Sequence, residues 1–391
     1  MVMIEQAETG TIARPRVARL AIATIFLTNG VLVANWFARI PDVKQRLDLS
    51  EGALSLALLS AAIGALLAQP TAGWVIGRVG SRIVTAAMAL LFCASVVLLG
   101  LARSLPVLML VLGIFGACNG ALDVAMNAQA AMVERQYGRS IMNSFHALWS
   151  VGGLGGAALG GLAASRGLPL AAHFLIAAGV AAIVMLLALR GLVPDGGASS
   201  SHDPAFALPP RALLPMGIVA FCALVSEGAI GDWGAIYLRE GLGSTPGIAA
   251  TGYAVFALLM AAGRFTGDWL TMRFGAARVV RVSGVLVVAG IALALVSRTP
   301  SIAIAGFALV GAGVSCIFPL ILSQAARTPG VAPGTGIAAM ATAGYTGFLV
   351  GPPLIGSVAE AASLRGGLAV LGIFGLLIVL LGTAVTSSAP E

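Results

Sequence analysis

About twelve long apolar stretches follow one another along the chain, and a single polar segment interrupts them in the middle. A helix needs about 20 apolar residues to cross the hydrocarbon core of a bilayer, and only helices or closed barrels satisfy their own backbone there. The strand-like alternation typical of a barrel is absent. Because 59% of the residues are hydrophobic and only 9% are charged, the sequence predicts an all-α membrane protein with twelve transmembrane helices.

The polar interruption, residues 191–211, is rich in Gly, Ser and Pro, a composition typical of linkers. It is predicted to be a cytoplasmic linker between two bundles of six spans each, residues 1–190 and 212–391. These halves resemble each other. Residues 78–82 read Arg-Val-Gly-Ser-Arg after span two, and residues 273–278 read Arg-Phe-Gly-Ala-Ala-Arg after span eight.

A second repeat supports the division. Gln129-Ala130-Ala131 ends span four, and Gln324-Ala325-Ala326 ends span ten. Internal repeats of this kind are typical of transporters whose substrate site lies between the halves, near the bilayer midplane. The sequence therefore predicts two pseudo-symmetric six-helix bundles around a shared cavity.

The basic residues give the expected orientation. With the N-terminus inside, about 14 of the 22 Lys and Arg residues fall on the cytoplasmic side, so both termini are predicted to be cytoplasmic. The net charge of +7 forms no basic stripe, which argues against a nucleic-acid partner. The four cysteines lie in apolar spans and predict neither disulfides nor a metal site. No phosphate-binding loop is present, so ATP is not the expected energy source.

At the repeated Arg-x-Gly segments, each closed by a second Arg, the chain resembles the major facilitator superfamily, over nearly its whole length. Within it, residues 122–127 (Leu-Asp-Val-Ala-Met-Asn) and residues 143–146 (Asn-Ser-Phe-His) are similar to motifs of the L-fucose:proton symporter branch and of YbjJ-type bacterial inner-membrane proteins. The resemblance implies a protonation site at Asp123 and solute contacts at Asn143 and His146. The first-helix Asp of that branch is missing, which argues against fucose itself as the substrate.

Three polar residues of span four, Asn119, Asp123 and Asn127, lie at i, i+4 and i+8 and line one helix face. An acid held in mid-span is a candidate proton carrier, because its charged form is costly there. Its alternative role is a permanent hydrogen bond between helices. His146 lies at a similar depth in span five. Because spans four and five are consecutive, the two side chains are expected to touch or share a water, as a proton relay.

Glu227 lies near the midplane of span seven and is the expected opposing contact for the solute or the coupling proton. Arg264 and Asp268 are spaced i, i+4 at the inner end of span eight. With Arg78 and Arg273 they are predicted to gate the cytoplasmic side, although such a pair also stabilises a helix without gating. Three further residues complete the predicted solute site: Asn35, Trp149 and Tyr345.

The sequence therefore predicts a secondary transporter of the bacterial inner membrane, a monomer without cofactor, metal or enzymatic activity. We expect proton-coupled symport of a small, sugar-like polar solute by alternating access. Two alternatives stay open. One is proton-driven export of an amphipathic compound, and the other is a membrane sensor that moves nothing.

Overall fold

The computed structural model describes residues 15–137, 141–194, 209–325, 327–331 and 333–385, without the side chains of Pro15, Asn143, Asp268 and Pro333. Thirteen α-helices lie in these ranges. They are α1 (Pro15–Arg46), α2 (Glu51–Val79), α3 (Ser81–Leu101), α4 (Leu105–Tyr137), α5 (Met142–Ser165), α6 (Leu170–Leu189), α7 (Leu214–Ile236), α8 (Pro246–Phe274), α9 (Ala276–Val296), α10 (Pro300–Val314), α11 (Ile317–Ala325), α12 (Pro333–Ala361) and α13 (Leu364–Leu381). Spans eleven and twelve are therefore α12 and α13.

In the described part of the chain, eleven segments are long and apolar enough to cross a membrane, and α12 adds a helix of 29 residues. The all-α membrane fold is confirmed. We call inner the end at which α1 begins, and outer the end at which it finishes. In the first bundle α1 packs on α5 and α2 on α4, whereas α7 packs on α12 and α9 on α10 in the second. The bundles meet mainly through α5 with α8 and α2 with α12.

Span ten differs from its expected form, because it is broken into α10 and α11. At the break, the Ser315 hydroxyl donates to the carbonyl of Ala312 at 2.7 Å, and the Cys316 thiol donates to the carbonyl of Gly263 on α8 at 3.1 Å. Side chains that bond to backbone carbonyls compete with the helical ladder and bend it. The break therefore follows from one local hydroxyl bond and one thiol bond to a neighbouring helix.

Glycines fix how closely α1 and α5 approach. A β-carbon added at Gly152 would lie 2.1 Å from the carbonyl oxygen of Leu27, and one added at Gly156 would lie 2.2 Å from that of Val31. Small residues at such positions let membrane helices pack backbone against backbone. This contact holds the polar side chains of α1 and α5 in a fixed relationship.

The starts and ends of α2 and α8 repeat the internal symmetry. The hydroxyls of Ser50 and Thr245 cap them, accepting from backbone N–H groups three residues later at 3.2 and 3.5 Å. Both helices end at glycines with positive φ, Gly80 at 88° and Gly275 at 81°, a conformation that residues with a β-carbon rarely adopt. The repeated Arg-x-Gly segments therefore encode a chain reversal in each half.

Large apolar side chains are exposed on α3, α9 and α13, as expected for helices that face lipid. Examples are Leu90 and Leu98 on α3, Val285 on α9, and Ile373 and Leu380 on α13. These helices lie away from the contact between the bundles, which leaves the polar helices for the interior.

Candidate functional site

Arg264 stands where the two bundles meet. Its Nη1 donates to Ser150 Oγ on α5 at 2.8 Å, and its Nη2 lies 3.6 Å from Glu227 Oε1 on α7. The side chains of Arg264 and Glu227 are only 16% and 14% exposed. At 1.5 Å per residue, the three positions lie roughly 12–20 Å from the inner ends of their helices. An ion pair within the second bundle and a hydrogen bond between the bundles therefore meet at mid-depth.

Other polar side chains surround this arginine. The guanidinium of Arg264 interacts electrostatically with His146 on α5 and with Tyr253 on α8. The Tyr345 phenol on α12 lies within electrostatic reach of both Asp123 and Glu227. Side chains from α4, α5, α7, α8 and α12 therefore converge between the bundles, and they include most of the predicted coupling residues.

Asp123 has a different partner from the one expected. Its Oδ1 accepts a 3.0 Å hydrogen bond from Asn127 Nδ2 on the same helix, whereas the ring of His146 packs edge-on against Phe26, with 5.2 Å between ring centroids. No hydrogen bond joins Asp123 to His146, both of which the structure describes. Helix α4 packs mainly on α2 and α3, while α5 packs mainly on α1 and α8. A short loop between consecutive helices does not force them to pack against each other.

A hydrogen-bonded chain crosses the first bundle beside this cluster. Trp149 Nε1 donates to Asn29 Oδ1 at 2.8 Å, and Asn29 Nδ2 donates to Asn119 Oδ1 at 2.8 Å. Helices α5, α1 and α4 are thereby linked through two predicted solute contacts, Trp149 and Asn119, and through Asn29 between them. The link orients the Trp149 indole and the Asn119 amide, because each has one hydrogen-bonding group already committed.

Two predicted solute contacts lie in packed surroundings. Asn35 is 1% exposed. Its amide nitrogen donates to the carbonyl of Val31 at 2.8 Å, and its oxygen has no partner among the described residues. Asn35 therefore belongs to the packing of α1 and does not line open space. Tyr345 lies between Phe318 and Phe348, at centroid distances of 5.9 and 6.5 Å.

The predicted inner gate is only partly described. The side chain of Asp268 lies outside the described residues, as does that of Asn143. Among the described side chains Arg264 reaches Ser150 and Glu227, and its pairing with Asp268 stays a prediction. Arg78 stacks on Trp74 of its own helix, with its guanidinium carbon 3.6 Å from the ring centroid, and Arg273 is exposed at the inner end of α8.

A cluster of charges that the sequence analysis did not select joins the bundles at the outer end. Lys44 Nζ donates to Glu240 Oε2 at 2.7 Å and lies 3.4 Å from Glu51 Oε1. Arg239 pairs with Asp42 and donates to Gln45 Oε1 at 2.8 Å. Because Glu240 and Arg239 follow α7 while their partners lie in the last turns of α1, these contacts hold the two bundles together. The sequence offered one signal, namely opposite charges at the outer ends of spans one and seven.

Arg39 anchors this outer cluster inside the first bundle. It is 3% exposed and donates to Asp42 Oδ2 at 2.5 Å and to the carbonyl of Leu168 at 2.8 Å. Its Nη1 lies 3.0 Å from His173 Nδ1. The carboxylate of Asp42 therefore bridges a buried arginine of one bundle and Arg239 of the other.

A further contact closes the outer end at α2. Glu360, next to the end of α12, accepts a 2.8 Å hydrogen bond through Oε2 from the backbone N–H of Gly52, in the first turn of α2. Gly52 and Glu360 belong to different bundles. The polar contacts between bundles in the described residues thus lie at the outer end, apart from the link of Arg264 to Ser150.

Comparison with known proteins is consistent with this architecture. Residues 20–225 and 216–390 match the model of the Major Facilitator Superfamily. A transporter of Sinorhizobium fredii, named y4wD and described as uncharacterized, is 35% identical over 364 residues, covering 92% of this chain and 96% of the relative. Membrane protein MosC of Rhizobium meliloti is 35% identical over 348 residues, covering 88% of this chain and 84% of MosC. The finer likeness to the L-fucose:proton symporter branch stays a prediction.

Solved structures with the same fold include the nucleoside transporter NupG, with a TM-score of 0.71 and 15% identity over 94% of this chain and 98% of NupG. Another is a bacterial homolog of the human lysosomal transporter Spinster, in an inward-facing and unoccupied conformation. Its TM-score is 0.74 at 14% identity, over 98% of this chain and 100% of that one. At these identities the likeness shows the fold alone.

Proposed function

Because the chain belongs to the Major Facilitator Superfamily and is therefore a membrane transporter, we propose that it carries a small polar solute together with protons. Transport would follow alternating access, in the bacterial inner membrane with both termini in the cytoplasm. One observation carries the proposal: Arg264, Glu227 and Ser150 meet between the bundles at mid-depth. Ionisable groups held at this depth normally serve a substrate or proton pathway.

The loose pairing of Arg264 supports a role in solute binding. A guanidinium has five N–H donors. Among the described residues, two nitrogens of Arg264 have partners: Nη1 donates to Ser150 Oγ, and Nη2 lies 3.6 Å from Glu227 Oε1. The remaining donors are available to hydroxyl, carbonyl or acidic oxygens of a solute. In this proposal Arg264 binds the solute directly, whereas the sequence predicted a gate at this position and no solute contact.

The carboxyls of Glu227 and Asp123 are the proposed proton carriers. Protonation of Glu227 removes the counter-charge of Arg264 and releases the guanidinium toward the solute. Asp123 lies on the facing bundle and is within electrostatic reach of the same Tyr345 phenol as Glu227. A proton on either carboxyl therefore changes the electrostatics of one shared space, which is the physical requirement for coupling.

The aromatic surroundings favour a solute with a flat ring or sugar face. Trp149, Tyr345 and His146 border the cluster, and such amphipathic rings pack against apolar faces while bonding to hydroxyls. The likeness in fold to a nucleoside transporter is compatible with this class. We therefore propose sugars and nucleosides as the first solutes to test.

The test begins with a thermal-shift screen of the purified protein against sugars, nucleosides and related metabolites at two pH values. Hits are then measured in proteoliposomes with an imposed pH gradient. We expect Asp123→Asn to lose proton-driven uptake while retaining solute exchange, and Glu227→Gln to behave similarly. Asp48→Asn, which changes an exposed carboxylate at the outer end, is the matched control. Unchanged proton-driven uptake in both site variants would overturn the proposal, and accumulation against the opposite gradient would favour the exporter.

A further inference from the structure

A glutamine that is repeated in the two halves of the chain has different hydrogen-bond partners in each half. In the first bundle Gln129 is fully buried, and its Nε2 donates to Ser81 Oγ at 2.7 Å and to the carbonyl of Val193 at 3.0 Å. Its Oε1 accepts from the Val193 N–H at 3.0 Å. The segment after α6 thus closes onto the inner end of α4, and every side of this amide is satisfied.

Gln324 occupies the same place in the second half, at the end of α11, but lacks these partners. The position that corresponds to Ser81, the first residue of α3, is Ala276, the first residue of α9, which has no hydroxyl. Val385, which follows α13 as Val193 follows α6, makes no hydrogen bond to Gln324. The Gln324 Oε1 is buried and has no partner among the described residues. A buried carbonyl without a donor is costly.

A cleft of about 750 Å³ opens at this position, at the inner end of the second bundle. Two arginines of α9, Arg278 and Arg281, line it, and of the residues described in its wall none is acidic. Both guanidinium groups belong to exposed residues, and the stem of Arg281 packs against Gly382. The described lining is Thr271, Phe274, Gly275, Ala276, Ala277, Arg278, Arg281, Val282, Val285, Gln324, Val379, Thr383 and Val385.

The cleft is amphipathic along the membrane normal. The arginines lie at its inner rim, whereas Val282 and Val285 lie further along α9 toward the bilayer and are 53% and 54% exposed. A phosphate is the ligand that two neighbouring guanidinium groups recognise best, and basic pockets between transmembrane helices on the cytoplasmic side bind lipid head groups. A soluble phosphate has no apolar part that could pack against Val282 and Val285, whereas a phospholipid has acyl chains.

We propose that this cleft binds an anionic glycerophospholipid of the inner leaflet. Arg278 and Arg281 hold its phosphate, and an acyl chain covers Val282 and Val285. The Gln324 side chain is partly exposed, and a turn of this side chain brings Oε1 to a head-group hydroxyl. In the first bundle Val193 bonds to the corresponding glutamine, Gln129, so we propose the lipid site for the second bundle only. The site is separate from the solute cavity and does not depend on the proposed coupling mechanism.

The experiment measures the melting temperature of delipidated protein in detergent as lipid is added. Phosphatidylglycerol is expected to raise the melting temperature in a saturable way, and phosphatidylcholine and inorganic phosphate are expected to have little effect. The double variant Arg278→Gln/Arg281→Gln should lose most of the shift. The control Arg190→Gln/Arg211→Gln removes the same charge from exposed inner-end positions and should keep it.

Three results would overturn the lipid assignment. The first is a phosphatidylglycerol shift in the cleft double variant that equals the shift in wild type. The second is a wild-type shift with inorganic phosphate that equals the shift with phosphatidylglycerol. The third is a phosphatidylglycerol shift that appears only in a variant truncated after Val385. The role of Gln324 has its own test, because phosphatidylmethanol has the same charge as phosphatidylglycerol but no head-group hydroxyl. Wild type should prefer phosphatidylglycerol, and Gln324→Met should bind the two equally. A preference that persists in Gln324→Met would remove Gln324 from the site.

Discussion

Arg264 on α8 donates a 2.8 Å hydrogen bond to Ser150 on α5, and the two side chains belong to different bundles. This bond lies at mid-depth, whereas the other polar contacts between bundles described above lie at the outer end. Arg264 also pairs with Glu227 of its own bundle. The contacts of this one guanidinium therefore depend both on the distance between the bundles and on the charge of the Glu227 carboxyl.

Replacing Arg264 with glutamine should abolish binding of the solute found by the screen. The variant removes the donors proposed to hold the solute and leaves Glu227 without its cation, so a carboxylate at mid-depth is left unpaired. The measurement is the solute-induced shift in melting temperature. Arg264→Lys keeps the charge but not the planar fork, and it should recover only part of the shift. A full shift in Arg264→Gln would contradict the proposed contact.

Replacing Ser150 with alanine should have a smaller effect. The hydroxyl accepts one charged hydrogen bond, worth about 1.5–3 kcal/mol when fully buried, and the partial exposure of Arg264 reduces this contribution. We expect weaker solute binding by up to about tenfold, the factor that corresponds to 1.4 kcal/mol, with Arg264 still paired to Glu227. Isothermal titration with the solute checks this, and Ser144→Ala on the same helix is the control. A loss as complete as that of Arg264→Gln would show that Ser150 does more than accept this bond.

Reversing a charge in the outer cluster should open the outer end. Glu240→Lys places a second cation against Lys44 and replaces an attraction by a repulsion. The reporter is a cysteine introduced as Ser55→Cys, at a 4% exposed position of α2 that packs beside Gly356 of α12. We expect faster labelling of this cysteine by a membrane-impermeant maleimide than in the parent protein.

The charge swap Lys44→Glu/Glu240→Lys restores opposite charges and should slow the labelling again. Arg365→Glu, an exposed change at the outer end, tests whether any added charge has the same effect. Labelling that is equally fast in the Arg365→Glu and Glu240→Lys backgrounds would argue against a specific role for the Lys44–Glu240 pair.

The glycine contact between α1 and α5 should tolerate no added methyl group. Gly156→Ala puts a β-carbon 2.2 Å from the carbonyl oxygen of Val31, whereas the neighbouring Gly155 has nothing within 4 Å. Overpacking of this kind costs about 1–3 kcal/mol. We expect Gly156→Ala to lower the melting temperature in detergent and Gly155→Ala to leave it nearly unchanged. Equal melting temperatures would mean that α1 and α5 separate without cost.

The amino-acid sequence contained most of what determines the fold. Apolar length and the repeated Arg-x-Gly segments predict the helices and their symmetry, because membrane helices must satisfy their backbone locally. The break in span ten was missed because it depends on Cys316 reaching the carbonyl of Gly263 on another helix. Contacts of that kind leave no periodic signal in the chain.

The sequence indicates which polar residues lie deep in the helices, but it says less about their partners. The contacts of Arg264 with Ser150 and Glu227 join residues far apart in the chain, and no local spacing predicts them. Asp123 and His146 were expected to meet, yet their helices pack on different neighbours. The outer cluster escaped notice for a related reason. Charged residues at the ends of spans are ordinary, and only the packing of the bundles brings Lys44 to Glu240.

The hydrogen bond from Gly52 to Glu360 ties secondary structure to transport. A carboxylate at a helix N-terminus stabilises that helix by about 0.3–1 kcal/mol when exposed, and here the carboxylate is supplied by the opposite bundle. If the bundles move apart at this end, the N-terminus of α2 loses its contact with the Glu360 carboxylate. Under the proposed alternating access, this one glutamate would shift the equilibrium between outward-open and inward-open forms by up to about fivefold. A substitution at position 360 could therefore change the preferred conformation of the transporter without changing its solute site.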